Sequence, residues 1–426
     1  MKKAMDAPLR IGILHYSCPP VVGGVEEILS RQASVFHRID HSVSVLAGMG
    51  EVYTKDFPVR IESVLSSKNT RIIKAQEECK KGRQGGLERP TNRIYRLLKD
   101  WSHKLDVILA HNVLHMPFNL PLTLALRRLA DSETGPVIVS WAHDSPYLQP
   151  NPPKYLNRPP WPVLQHLHPN IHHVTVSESR MSLFTKHCGD ASWKVIRDGI
   201  DPARFFYLDP KSVRLSEELD LFSRDLVVVQ PSRVTPRKNL ELSIHIIRGI
   251  KLLGYNILFI LTGAYDPHEE RAVAYYRRLK YWINELELQD NIAVLAEYRF
   301  RDRTKLVPDR IFIRDLYLMA DLLLMTSKDE GFGLPLLEAG MIKLPIACSS
   351  IAPFQEVGRG ICFFGLDEPP LTIAGRIMEY LARTDTHKMF RNVMRKYVWD
   401  VICKREVLPF LREITGQTMR EGKKVG

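Results

Sequence analysis

The sequence predicts an α/β protein built from two Rossmann-like domains, and three observations carry that prediction. A chain of 426 residues exceeds what one hydrophobic core usually supports, so two domains of roughly 200 residues each are expected. Residues 9–16, LRIGILHY, form an apolar run that leads through Gly23 and Gly24 into an amphipathic helix, the way a Rossmann-type unit opens. Residues 105–112 (LDVILAHN) and 136–144 (PVIVSWAHD) are continuous apolar runs, as expected of parallel strands buried on both faces.

The elements follow in order. No G-x-G-x-x-G comes after the first strand, so a dinucleotide is not implied. Residues 41–48 (HSVSVLAG) read as the second strand, whereas 50–90 are poorly periodic and read as loops and short elements. Ile94, Leu97, Leu98, Trp101 and Leu105 then fall at helical spacing, with Arg93, Arg96 and Lys99 on the other faces. Such a helix either packs on the sheet with solvated cations or lies on a membrane surface. The strands at 105–112 and 136–144 end in His111 and His143, at the carboxyl ends where open α/β sheets hold ligands. Seven prolines within 149–173 exclude regular structure there, and an ordered loop of that length is usually functional. His111, His115, His166, His168, His172 and His173 lack consistent ligand spacing, so no metal is expected. A strand at 172–178 follows, and polar residues 211–225 have the composition of an interdomain linker. The second domain then begins with a strand at 226–230 and a loop carrying Arg233, Arg237 and Lys238, with Asn239 as N-cap of the next helix. Further strands are expected at 256–264, 291–298 and 321–327.

The richest stretch is Lys328 to Pro345, KDEGFGLPLLEAGMIKLP. Gly331 and Gly333 bracket Phe332 and allow close approach to the backbone, and Pro335 suits a first helical position after Leu334. A helix N-terminus facing a glycine loop offers unpaired N–H donors to an anion, most often phosphate. Glu330 precedes the loop and Glu338 lies one turn into the helix, so a ligand with both phosphate and hydroxyls, such as a nucleotide sugar, fits. Two cations in the loop after the strand at 226–230 suit a diphosphate leaving group, whose charge grows in the transition state.

Glu330, seven intervening residues and Glu338, with the wording EGFGLPxLEA, resemble the donor-site signature of retaining glycosyltransferases of the GT-B fold, family 4 above all. The resemblance implies two Rossmann-like domains facing across a cleft, with the site between them. It gives Glu330 the sugar hydroxyls and Glu338 the ribose, with Gly331, Phe332, Gly333 and Leu334 lining the donor site. The segment from Ser232 to Asn239 resembles G-R-x-x-x-x-K-[GN], which gives Arg233 and Lys238 the phosphates, with Ser232 in place of the usual glycine. Gly23 and Gly24 resemble the first loop of the family, and His143 a histidine against the donor sugar. Residues 193–205 resemble V-I-x-N-G-I-D-x-x-x-F, with Asp198 where asparagine is usual. Family members return their last helix to the first domain, which implies domains at 1–208 with 405–426, and at 209–404.

The charge of +12 favours anionic partners, and residues 80–104 alone hold eight Lys/Arg against Glu88 and Asp100. No nucleic-acid-binding motif accompanies them. No apolar run approaches the ~20 residues that span a bilayer, so a cytoplasmic protein is expected, with peripheral contact to the inner face of a membrane left open. The six cysteines lack C-x-x-C spacing and read as buried thiols. The expected activity is transfer of mannose or glucose from GDP-mannose or UDP-glucose to a sugar, a small anionic or a glycan- or lipid-linked acceptor, with retention. No D-x-D is present, and no metal or other cofactor is expected beyond the nucleotide sugar itself. Alternatives are a metal-free epimerase of the same fold and a non-catalytic nucleotide-sugar-binding protein.

Overall fold

Runs of Val, Ile and Leu without polar alternation become strands covered on both faces. The computed structural model describes residues 7–83, 85–190, 192–263 and 270–416. Packing divides the chain into two units, one running to Ile200 and resuming at Trp399, the other Asp201–Val398.

The first unit runs β1 (Arg10–His15), α1 (Gly24–Arg38), β2 (Ser42–Ala47), β3 (Val59–Ile61), α2 (Thr70–Lys80), α3 (Glu88–Ser102), β4 (Val107–His111), α4 (Leu120–Ala130), β5 (Val137–Ala142), β6 (Ile171–Thr175), α5 (Glu178–Cys188) and β7 (Lys194–Val195). Its parallel sheet has the order β3-β2-β1-β4-β5-β6-β7. Period-2 alternation sends Ile13, Val45 and Leu109 into one core with Phe36 of α1. Leu14, Leu46 and Ile108 enter the other, with Ile94 and Leu98 of α3. The order reverses between β1 and β4, so their carboxyl ends flank the crevice where such sheets bind ligands.

The second unit runs α6 (Pro202–Phe205), α7 (Pro210–Glu218), β8 (Leu226–Gln230), α8 (Leu240–Leu252), β9 (Ile257–Leu261), α9 (Glu270–Glu285), β10 (Ile292–Val294), α10 (Arg310–Met319), β11 (Leu322–Met325), α11 (Leu334–Met341), β12 (Ile346–Ser349), α12 (Ala352–Val357), β13 (Cys362–Phe364), α13 (Pro370–Arg383) and α14 (Asp385–Lys396). Its parallel sheet, β10-β9-β8-β11-β12-β13, reverses between β8 and β11. Both sheets are therefore doubly wound α/β units, the class read from the sequence. The chain ends with α15 (Trp399–Ile402) and α16 (Leu408–Ile414), whose Trp399, Ile402 and Leu411 join the core of the first unit beside Leu29 and Phe36. A π-helical stretch, Cys403–Val407, separates the two where Pro409 cannot donate a backbone hydrogen bond.

Several expectations need correction. The first unit ends at Ile200 rather than 208, because Ala203, Phe206 and Leu208 pack into the core of the second. The return starts at Trp399 rather than 405; residues 417–426 of the expected crossover lie outside the described residues. The supposed linker holds α7, capped by the Asp209 carboxylate on the Lys211 N–H, with Leu215 fully buried. Within 50–90 stand β3 and all of α2, the latter capped by Asn69. Asn239 sits at a helix start in a left-handed conformation, φ 51°, and its side chain makes no cap bond. Cys188 is half-buried, unlike the other five thiols. The apolar side of α3 is sealed in the core, so only its charged side, with Arg89, Arg93, Arg96 and Lys99, faces outward. No helix among the described residues is long and apolar enough to cross a membrane.

The proline-rich loop forms short 3-10 turns that hold Trp161 and Leu164 against Leu120. His115 and His173 lie beside it, packed against Phe184 and Trp193, and the His115 Nδ1–H donates to Leu164 O at 2.9 Å. Burial pushes these imidazoles down to about 4 and about 3. Their folded pKa values lie below that of a free histidine, so between pH 6.5 and about 4 the unfolded chain binds more protons and stability falls as the pH falls. Denaturant unfolding at pH 7 and pH 5 is expected to show this loss, and His173→Phe to flatten its slope; equal slopes would separate the pair from the acid response.

Candidate active site

In the second unit, two loops emerge at the switch point and bind each other. The loop after β8 turns through a 3-10 segment, Pro236–Lys238, and the loop after β11 runs from Thr326 to α11. Their backbones meet where the Lys328 N–H donates to Arg237 O at 2.9 Å. Beneath them Ser243 Oγ donates to Gln230 Oε1 at 2.6 Å and lies 2.7 Å from Thr326 Oγ1, a buried hydroxyl and amide network between the strand ends. Thr326 Oγ1 also lies 2.9 Å from Lys238 O. Gly263, after β9, is required by space: a Cβ there would collide with Ser232 O.

Glu330 is the centre of this arrangement. Lys238 Nζ pairs with its Oε1, Ser327 Oγ donates to the same oxygen at 2.7 Å, and Arg237 Nη1 reaches Oε2 at 3.2 Å. Arg237 also donates to Asp329 O at 2.8 Å. Burial pushes the Glu330 carboxyl upward, but hydrogen bonds from Lys238 and Ser327 and the two cationic charges outweigh it and hold the carboxyl below its ordinary range. Lys238, given to phosphate by the sequence resemblance, is thus paired with the carboxylate that the same resemblance gives to the sugar. Arg237, left without a role in that reading, shares the same carboxylate. Arg233 is exposed and has no hydrogen-bond acceptor among the described residues.

Gly333 precedes α11 at φ 106°, a conformation that glycine adopts without strain. Gly331 has open space where a side chain would stand, and Phe332 and Leu334 are more than half exposed. Glu338 is exposed on α11 and accepts from Tyr317 Oη at 2.9 Å; sequence reasoning missed this tyrosine, 21 residues upstream on α10. Burial and that hydrogen bond drive the Tyr317 hydroxyl far up, so it stays a donor. No contact joins Glu338 to the Glu330 cluster among the described residues.

Gly23, Gly24 and His143 belong to the first unit and meet a different set. Gly23 precedes α1, and the Glu26 carboxylate folds back over it to accept from Ser17 Oγ at 2.6 Å. His15 Nδ1 bonds His111 O at 2.7 Å, and its Nε2 lies 3.9 Å from Glu26. His143 Nε2 lies 3.3 Å from His111 Nδ1, and its Nδ1 3.5 Å from Asp198. Asn112, left-handed after β4, accepts from the His143 and Asp144 N–H groups and fixes the turn after β5. Burial pushes His15 down to about 4 and His111 well below its usual value. Sequence reading singled out His143, His111 and Asp198 separately without placing them together, and it missed His15 and Glu26 beside them.

Residues 214–360 match the family model described as glycosyl transferases group 1. The matched stretch lies within the second unit. It contains Arg233, Lys238, Glu330 and Glu338, whereas His143 and the Gly23-Gly24 turn lie outside it. Over 71 residues the chain is 38% identical to the serotype-specific mannosyltransferase WbdA of Escherichia coli, a stretch that covers 17% of this chain and 9% of WbdA. It is 22% identical over 280 residues, 60% of each protein, to mannosylglucosylglycerate synthase of Petrotoga mobilis. A crystal structure of a glycosyltransferase from Rickettsia africae ESF-5 is 18% identical, with 96% of this chain and 100% of that one covered at a TM-score of 0.35. The chain thus spans less than two thirds of the length of the curated relatives named here.

In the second unit Glu330 is paired with both Lys238 and Arg237, so an anion that binds these cations must displace it. Glu330→Gln is expected to bind inorganic pyrophosphate several-fold tighter than the unaltered protein, and Lys238→Ala to bind it more weakly. Calorimetry giving one affinity for all three would remove these cations from the anion site.

Proposed function

We propose that this protein is a retaining hexosyltransferase that moves a hexose from a nucleotide sugar to a sugar, a small anionic or a glycan- or lipid-linked acceptor, without a metal. The observation that carries this reading is the convergence of Lys238, Arg237 and Glu330 beside the glycine loop that opens α11. Cations and a carboxylate held together suit a ligand with a diphosphate and hydroxyls. When the diphosphate takes Lys238 and Arg237, it releases Glu330 to accept from hydroxyls of the sugar.

Glu338, farther along α11, takes the ribose, and His143 is assigned to the transferred sugar. The charge that grows on the departing diphosphate is met by Lys238, Arg237 and Arg233, so a metal has no task left to it. No side chain is assigned as a covalent nucleophile. Retention therefore implies attack on the face the diphosphate leaves, with the diphosphate taking the acceptor proton. The mannosyltransferase name of the relative WbdA favours mannose over glucose.

The two glutamates separate by kinetics. Contacts to the hexose strengthen as its ring flattens, whereas contacts to the ribose are equal in ground and transition states. Glu330→Ala is expected to lower kcat by about 10²-fold, and Glu338→Ala mainly to raise the donor KM. A fall in kcat confined to Glu338→Ala would reverse these roles. Activity is also expected to survive EDTA; loss restored by Mg²⁺ or Mn²⁺ would show that a metal stabilises the leaving group.

A further inference from the structure

His143 is the middle member of a three-group chain, every member of which lies in the first unit. Its Nδ1 faces Asp198 Oδ2 at 3.5 Å and its Nε2 faces His111 Nδ1 at 3.3 Å. The imidazoles of His143 and His111 are nearly parallel, 5.7 Å apart at 24°, and His111 stacks in turn on Trp141 at 5.4 Å. The backbone is fixed as well, because Asn112 holds the His143 N–H. Its two nitrogens thus face a carboxylate and an imidazole, and the atoms a histidine ring faces decide which protons it carries.

The groups around it come from five elements. On β4, His111 is fully buried, and on β1, His15 is nearly so; burial keeps both neutral. On α1, Glu26 is hydrogen-bonded to Ser17 and adjoins His15. In the turn after β5, Asp144 is paired with Arg180 of α5 at 3.2 Å. Arg197, next to Asp198, lies 3.9 Å from Glu178. Asp198 is thus the charged group that faces the His143 ring directly. Its Oδ1 is buried with no hydrogen-bond partner among the described residues, although the side chain as a whole is 31% exposed.

We propose that Asp198 is a positioning residue that keeps His143 as a doubly protonated imidazolium, so that its Nε2–H serves as a charged donor to an oxygen of the transferred sugar. The proposal rests on the assignment of His143 to that sugar. In this state Nδ1–H faces the Asp198 carboxylate, and Nε2–H donates to Nδ1 of His111 until substrate takes its place. An asparagine at 198 would hold the ring equally well and leave it neutral. The aspartate therefore changes the charge of the donor rather than its position, and charged donors make the stronger hydrogen bonds.

Asp198→Asn, an isosteric change, separates charge from shape. The His143 ring, followed by NMR against a His143→Gln reference, is expected to titrate about 1–2 pH units lower in Asp198→Asn than in the unaltered protein. With a hexose nucleotide that supports transfer, kcat of the variant at pH 7.5 is expected to fall about tenfold and to recover toward pH 6, while Asp198→Glu keeps the original pH range. A structural role would give a loss that acid does not restore. Unchanged titration of His143 overturns the proposal, as does a shifted titration with an unmoved pH profile of transfer. Absence of transfer from every hexose nucleotide would overturn the proposed activity and with it the sugar contact, while the titration would still decide whether Asp198 charges His143.

Discussion

The clasp between the loops after β8 and β11 is the constraint on which the second unit's site depends. Parallel strands leave their carboxyl ends open at the switch point, and nothing in the sheet itself fixes the loops that follow. Here the Lys328 N–H to Arg237 O bond joins the two backbones, and Glu330 gathers Lys238, Arg237 and Ser327 above it. A carboxylate inside a basic loop keeps two cations ordered and partly desolvated without mutual repulsion. A ligand that brings its own negative charge can replace it with little rearrangement, a form of preorganisation.

The first unit solves the same problem with other chemistry. Its switch point is lined by His15 and His111, which burial keeps neutral, by His143 and by the carboxylates of Glu26 and Asp198 rather than by a cationic cluster. Asn112 binds the turn after β5 as Lys328 binds the loop after β8, so each unit has a polar tie across its strand ends. The two units share a topology and differ in the charge they present: cations in one, imidazole and carboxylate in the other.

The sheets were legible because fully buried parallel strands need unbroken apolar runs, as in residues 105–112 and 226–230. Helix α7 was not: of its buried residues Ser212, Leu215 and Ser216 only one is apolar, so the segment read as polar linker despite the Asp209-Pro210 start. The glycine loop and its glutamates were legible as a contiguous motif. The Lys238–Glu330 pair was not, since its partners lie 92 residues apart and nothing local signals that an apparent phosphate ligand is engaged to a carboxylate. The pairing of His143 with His111 and Asp198 escaped for the same reason, the first lying 32 residues away and the second further still.

The return of the chain at Trp399 bears on the order in which the protein is made. Residues 201–398 form a continuous unit whose core is complete as soon as they have left the ribosome. The first unit, although synthesised earlier, lacks Trp399, Ile402 and Leu411 from its core until the final segment emerges. Its apolar surface against α1 stays uncovered throughout synthesis of the second unit, the interval in which a nascent chain is most exposed to aggregation and to chaperones.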